Sequence, residues 1–429
     1  MSAASLTSAD GSARRKTISI PAIQNAVLAL LLFSGCVAFI EPSPFEAVFV
    51  VALLTFLFGG VRLPAESIPL LVLLTLFNLG GVLSLMEVMH DAKAITFTAI
   101  SVYLACVTIL FMMLMVENTS RRMQAILNAH ILAAMVAGVT GTLGYFNVAG
   151  LSAAFTSFDG SRASGMFKDP NVFGPFIGVA ATILFNRIVN GSIRWFWTGL
   201  AMFGFLCFAV LLSFSRGAWG VLAFGLVMVI GLNLAVSRSW RERRRIAVVT
   251  MLGAAGLVCV GAAALTSPVI STMLEDRAQL IKSYDAGETG RFGNQRRSIP
   301  LLLDLPNGFG PLQFDKKFTE NPHNVYIYAF SSYGWLGGIS YFALIALTCV
   351  MGWRLVFQRS PWQKDAIGLW CCLFPQIVQG FQIDTDHWRH FWWLFGMVWG
   401  LAIMSNRLKR AAARDSVAHL PPGQTFVSA

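Results

Sequence analysis

The sequence predicts an all-α fold: a polytopic membrane helix bundle of about twelve transmembrane helices, with a long outer loop before helix 10. Three observations carry this. Of 429 residues, 56% are hydrophobic and only 12% charged, about half the charge of an ordinary soluble domain. Apolar runs of roughly 17–25 residues recur, the length at which a helix crosses a hydrocarbon core. The runs are continuous rather than alternating, which argues against a transmembrane barrel.

Taken in order, the spans are expected at 22–40, 45–60, 67–87, 94–116, 124–144, 172–188, 194–213, 217–236, 246–266, 333–353, 366–383 and 389–405. Pro21, Pro44, Pro64 and Pro361 fall between them, as helix breakers should. Residues 1–20 form a polar tail with Arg14, Arg15 and Lys16. The apolar run from about Ile23 is long enough to span, and no small-x-small cleavage site follows it. Cys36 closes an LLFSGC stretch that reads as buried helix rather than as a lipidation site. Residues 21–406 form a single transmembrane domain, with outer loops at about 145–171 and 267–322, and 407–429 form a solvated tail. The longer loop mixes charge with Gly290, Gly293, Pro306, Gly308, Gly310 and Pro311, so short helices lying over the membrane face are expected there.

The net charge of +11 is a topology signal rather than a nucleic-acid footprint. Twenty of the 32 Lys and Arg residues fall in the tails and alternate short loops, from Arg14 to Arg414. Of the other twelve, nine sit in the two longer loops, and only Lys93, Arg216 and Arg389 in short outer ones. The bias puts both termini in the cytoplasm. The seven cysteines all lie in apolar spans, so neither a disulfide framework nor a metal cluster is implied.

The unusual polar residues collect on the outer side. Arg162 precedes span six, and Arg216 occupies the tight turn between spans seven and eight. Arg291 follows Gly290, His323 closes the long loop, and Asp384, Asp386, His387, Arg389 and His390 crowd the last outer turn. Arg216 opposes the positive-inside bias, so it is not an orientation signal; the structural alternative is a helix cap or a headgroup contact. Arginine suits a diphosphate because its planar fork donates paired hydrogen bonds and keeps its charge. The ordinary histidine pKa near 6.5 suits a general base at neutral pH, although a lone histidine is more often structural. Gly334, Gly337 and Gly338 allow close helix approach. No P-loop, serine-hydrolase elbow, dinucleotide fingerprint or metal-ligand spacing is present. The spans hold almost no Asp or Glu, unlike those of many secondary transporters.

Five pieces in order then resemble the O-antigen ligase and polymerase family of membrane glycosyltransferases. They are R-x-S-G-x-F-x-x-P-N at Arg162–Asn171, S-x-S-R-G at Ser213–Gly217, Gly290–Arg291, P-x-G-F-G at Pro306–Gly310, and H-N-x9-G-x-x-G at His323–Gly337. The resemblance covers roughly residues 160–355. It implies glycan transfer from undecaprenyl diphosphate at the periplasmic face of a Gram-negative inner membrane, inverting and independent of metal or other cofactor. It also implies that Arg216 and Arg291 hold the diphosphate and that His323 takes the acceptor proton. Arg162, Asn171, Asn324 and Arg389 are expected substrate-binding residues. The shared donor chemistry leaves two acceptors open. A polymerase extends another lipid-linked glycan, and Phe167–Phe176 leans that way; a ligase uses lipid A–core. A transporter or flippase of lipid-linked or anionic solutes is the alternative of another class, and an assembly subunit of an export complex a further one. Expected partners are the lipid-linked donor, a glycan acceptor, the bilayer and export or chain-length proteins, with no nucleic acid.

Overall fold

The computed structural model describes residues 20–266, 268, 271–272, 287–288, 290–318 and 320–418. The expected N-terminal tail, part of the long outer loop and the end of the C-terminal tail lie outside these residues. The described chain is all-helical, its only extended pairings being the isolated bridges Ala38–Phe167 and Thr156–Ala163. It is a polytopic membrane helix bundle. The helices are α1 Ile20–Ser34, α2 Pro44–Phe58, α3 Ile68–Leu85, α4 Ala92–Val116, α5 Thr119–Tyr145, α6 Ser152–Phe155, α7 Pro170–Asn190 and α8 Phe196–Leu212. They continue with α9 Arg216–Val236, α10 Trp240–Leu265, α11 Arg291–Leu303, α12 Phe314–Lys317, α13 Val325–Phe357, α14 Gln363–Gln379 and α15 Arg389–Ala418.

A helix of 15 residues or more stands at each position where a span is expected. Seven are long and apolar enough by themselves to cross a membrane, and α1, α2 and α8 are apolar but shorter. The long outer loop contributes α11 and α12. Two boundaries differ most from expectation. α13 starts eight residues before the expected span, because Asn324 caps it by accepting from the amides of Tyr326 and Ile327. α15 stays helical through residues expected to be a tail, to Ala418; the run Arg407–Arg414 has strong helix formers and no Gly or Pro.

α7 is the central helix: 89% of its most apolar window is buried, against 18% for α10 at the periphery. Its ends are written in the sequence. Asp169 caps the start through the Asn171 amide at 2.7 Å, Pro170 takes the first position, and Gly191 closes the end at φ 73°. In the core as a whole, Trp370, Trp392, Trp393, Trp399, Tyr333 and Tyr341 are fully buried.

α13 is broken at Gly334, whose φ of 64° and ψ of −169° only glycine adopts readily. In an unbroken helix the Trp335 amide would donate to the Ser331 carbonyl. Here the Trp335 amide donates to the Pro306 carbonyl at 2.8 Å. The Ser331 carbonyl accepts instead from the amides of Phe309 (2.8 Å) and Gly310 (3.2 Å). The Pro306–Gly310 stretch therefore replaces both partners, as buried non-helical backbone in a membrane protein requires. Gly308 lies against the Phe330 and Ser331 carbonyls, where a Cβ would collide. Beyond the break, Gly337 lies directly against Gly80 of α3, giving the close helix contact expected of it.

Candidate functional site

The starts of α2, α4, α7, α9, α13 and α15 and the ends of α1, α8 and α14 share one end of the bundle. Contacts among them record this: Val325 N to Gly380 O at 2.8 Å, Ala163 N to Leu212 O at 2.9 Å, and Arg389 to Glu46 at 2.7 Å. The opposite end carries the pairs Arg407–Glu66 (2.8 Å), Lys364–Glu242 (3.3 Å) and Arg122–Glu117 (3.6 Å). Every site residue expected from the sequence is at the first end.

Arg216 is the first residue of α9, after a three-residue turn. Phe214 takes φ 45° in that turn, and Ser215 caps the helix through the Ala218 amide at 3.4 Å. Arg162 is tied to the same turn: its Nε donates to the Ser213 carbonyl at 2.8 Å and its Nη2 to Asn171 Oδ1 at 2.8 Å. Arg162 and Asn171 are thus bonded to each other, three residues from Arg216.

Arg291 is the first residue of α11, and its Nη1 donates to the Gln382 carbonyl at 3.5 Å. α11 also braces the segment that carries the histidine. Gln295 Nε2 donates to the Pro322 carbonyl at 2.6 Å, and Asn294 Nδ2 to the Glu320 carbonyl at 3.2 Å. His323 follows at φ 42°. Its Nδ1 stands 4.0 Å from Asp384 Oδ2, with the ring 42% and the carboxyl 23% exposed.

The turn after α14 is the meeting place. Gln379 lies against Gly217, beside Arg216; a Cβ on that glycine would meet its amide at 2.5 Å. Gln382 accepts from Arg291, and Asp384 faces His323. Residues 162, 91 and 61 positions away in the chain thus converge on the six-residue stretch Gln379–Asp384.

Burial and the neighbouring Asp386 push the Asp384 carboxyl up to about 8. Its Oδ1 has no hydrogen-bond partner among the described residues. Asp386 itself is anchored: Tyr333 donates its hydroxyl proton to Oδ2 at 3.1 Å, and the His387 ring meets the same oxygen at 3.0 Å. The other His387 nitrogen meets the Phe97 carbonyl at 3.1 Å. Both partners are acceptors, a setting that favours the doubly protonated ring. Burial, the largest single influence, lowers the His387 pKa, but the charge and hydrogen bond of Asp386, the Phe97 carbonyl and the Asp384 charge together outweigh it and the net shift is upward.

Two recesses flank this centre. One, of about 400 Å³, lies between α1, α2, α4, α7 and the 384–393 stretch; Asn321, Asp384, Arg389 and His390 line it among aromatic rings. The other, of about 310 Å³, is an apolar groove between α11 and α13, lined by Leu302, Leu303, Phe330, Trp335, Phe381 and the capping Asn324. Asn321 lines the first and Asn324 the second, so His323 stands on the strip between them.

The structure assigns some expected residues local jobs. Arg389 is ion-paired with Glu46 at the start of α2, and the Asn324 oxygen is used as a helix cap. Sequence reasoning noted Asp384, Asp386, His387 and His390 but gave them no role, and of these Asp384 faces His323. Its signal was the density of ionisable groups in one short turn. The contribution of α1, α2 and α4 to the 400 Å³ recess had no signal, because those residues are ordinary apolar and aromatic ones. Among the described residues, no three His, Cys, Asp or Glu side chains are grouped to hold a metal ion.

Residues 200–342 match the family model described as O-Antigen ligase. The matched stretch includes Arg216, Arg291 and His323; Arg162, Asn171, Asp384 and Arg389 lie outside it. No curated protein matches the chain.

Proposed function

With an O-antigen ligase domain as premise, we propose that the chain transfers glycan from a lipid diphosphate to an acceptor sugar hydroxyl at the end of the bundle that carries Arg216, Arg291 and His323. The observation that carries this is the convergence of Gly217 (the neighbour of Arg216), Arg291 and His323 on Gln379–Asp384. Arg216 and Arg291 each open a helix. An anion there meets both a guanidinium and the positive end of a helix dipole.

The chemistry is one displacement. His323 takes the proton of the acceptor hydroxyl. The acceptor oxygen bonds to the anomeric carbon as the bond from that carbon to the diphosphate oxygen breaks, inverting the centre. The leaving diphosphate carries the developing negative charge, and Arg216 and Arg291 stabilise it in a partly dry site. The imidazolium formed on His323 faces Asp384, whose ionisation it favours. Neither metal nor nucleotide takes part. Arg162 and Asn171 hold the Ser213–Arg216 turn in place, and the apolar groove takes the lipid chain of the donor. This end is the periplasmic face, the twelve long helices are the spans, the location is a bacterial inner membrane, and both termini are cytoplasmic.

The acceptor is another lipid-linked glycan, making the chain a polymerase. The test is transfer by purified protein in nanodiscs, without added metal or nucleotide, from a lipid-diphosphate oligosaccharide. Lengthening of that lipid-linked glycan alone supports the polymerase. Product only after lipid A–core is added replaces it with a ligase. Movement of donor between leaflets with no new glycosidic bond overturns transfer in favour of transport.

A further inference from the structure

We propose that the 400 Å³ recess is the acceptor subsite and takes one uncharged, hydroxyl-bearing sugar ring at the end of the acceptor glycan. The inference rests on the transferase reading and adds to it the place and chemistry of the second substrate. The volume is that of a small-molecule cleft. Its walls are aromatic: Phe97, Tyr103, Phe167, Phe176 and Trp388 line it, and such faces pack against the C–H faces of a sugar ring.

Among the described residues, its cations are already matched in pairs. Lys168 meets Glu41 at 2.8 Å, Arg389 meets Glu46 at 2.7 Å, and His387 meets Asp386 at 3.0 Å. No cation of the recess is left to demand a phosphate or carboxylate, so the diphosphate belongs on the other side of His323. Three lining polar atoms do ask for a partner, the Tyr103 hydroxyl being one of them. His390 is only 2% exposed, and its Nε2 has no hydrogen-bond partner among the described residues. The same holds for Asp384 Oδ1. A buried polar atom of this kind is costly unless a ligand completes it. A hydroxyl both donates and accepts, so a polyol satisfies any of these atoms in either protonation state. Asp384 also faces His323, so a sugar bonded to Asp384 has its neighbouring hydroxyl next to the base.

The test uses the full chain in nanodiscs with two variants. His390→Phe keeps the ring volume and removes the hydrogen bond; Ile100→Trp fills the recess from α4 without removing a polar group. Acceptor and donor concentrations are titrated separately in the transfer assay. Both variants are expected to raise the acceptor KM at least about tenfold, the effect of one lost buried hydrogen bond, with donor KM unmoved. A rise in donor KM instead, or unchanged KM values for both substrates, overturns the assignment.

A second readout needs no transfer. Thermal unfolding is followed with methyl glycosides of glucose, galactose, rhamnose and N-acetylglucosamine, and separately with inorganic pyrophosphate. At least one glycoside should stabilise the native chain and neither variant, while pyrophosphate stabilises all three. No glycoside effect on the native chain overturns the subsite. A glycoside effect without any transfer keeps the subsite and sinks the enzymatic reading, so the two failures are distinguishable.

Discussion

The two recesses beside His323 are close in size and opposite in chemistry. One is walled by aromatic rings and buried polar atoms, the other by aliphatic and aromatic carbon with a single amide at its rim. Only the Asn321–Asn324 strip divides them. A catalyst that joins a lipid-borne donor to a sugar needs two such environments within reach of one base. On the proposed reading, the chain supplies them from different parts: α1, α2 and α4 help build the polar recess, and α11 helps build the apolar one.

The largest effect is expected at the divide itself. His323→Ala should lower transfer by about 10²–10⁴, the usual contribution of a general base. Protein level in the membrane and donor binding should stay unchanged. Full activity would remove His323 from the chemistry and leave the recesses without a shared centre.

Gly334→Ala strikes the apolar side, since Gly334 lies between Phe330 and Trp335, which line the groove. The added Cβ would meet the Pro306 carbonyl at 2.5 Å, at a φ of 64°. A loss of about 1–3 kcal/mol of stability is expected, read by thermal unfolding of the purified variant. An unchanged transition would mean that the break relaxes without its glycine.

Leu303→Asp puts a charge on the exposed rim of the groove. The KM for a full-length polyprenyl donor should rise about tenfold, while a donor with a short lipid chain should be little affected. Equal effects on both donors would show that the groove does not hold lipid.

The smallest effect is a pH slope. The Asp384 carboxyl is raised from 3.8 to about 8, so the folded protein keeps a proton that the unfolded chain has released. Stability from this group is fully present below about pH 4 and falls as pH rises towards 8. Asp384→Asn should flatten that part of the melting curve, worth about a few degrees. A native protein whose melting temperature does not fall over this range would contradict the buried setting of Asp384.

Much of the fold was legible because hydropathy and proline placement directly encode membrane helices. The start of α13 was misjudged because polar capping by Asn324 is invisible to a hydropathy window. Arg216 and His323 stood out because ionisable groups at a helix–loop boundary are costly without a role, and Arg291 through the resemblance of Gly290–Arg291 to the family pattern. Their meeting point did not. Gln379 and Gln382 are common polar residues, and nothing local reveals that they touch segments far away in the chain. The Pro306–Gly310 motif was visible as a turn, but its purpose became clear only when the break at Gly334 was found to need its backbone.

That break also carries a consequence for biogenesis. The Pro306–Gly310 stretch precedes α13 in the chain, so it is made before the helix whose gap it fills. Synthesis runs from the N-terminus. On the proposed orientation, the stretch is already across the membrane when α13 arrives, with the Pro306 carbonyl and the Phe309 and Gly310 amides in place to receive it. If its translocation is delayed, α13 enters with the Ser331 carbonyl and the Trp335 amide open to lipid. A nascent chain stalled there would present an incomplete helix to membrane quality control, marking the order of insertion as something the fold itself enforces.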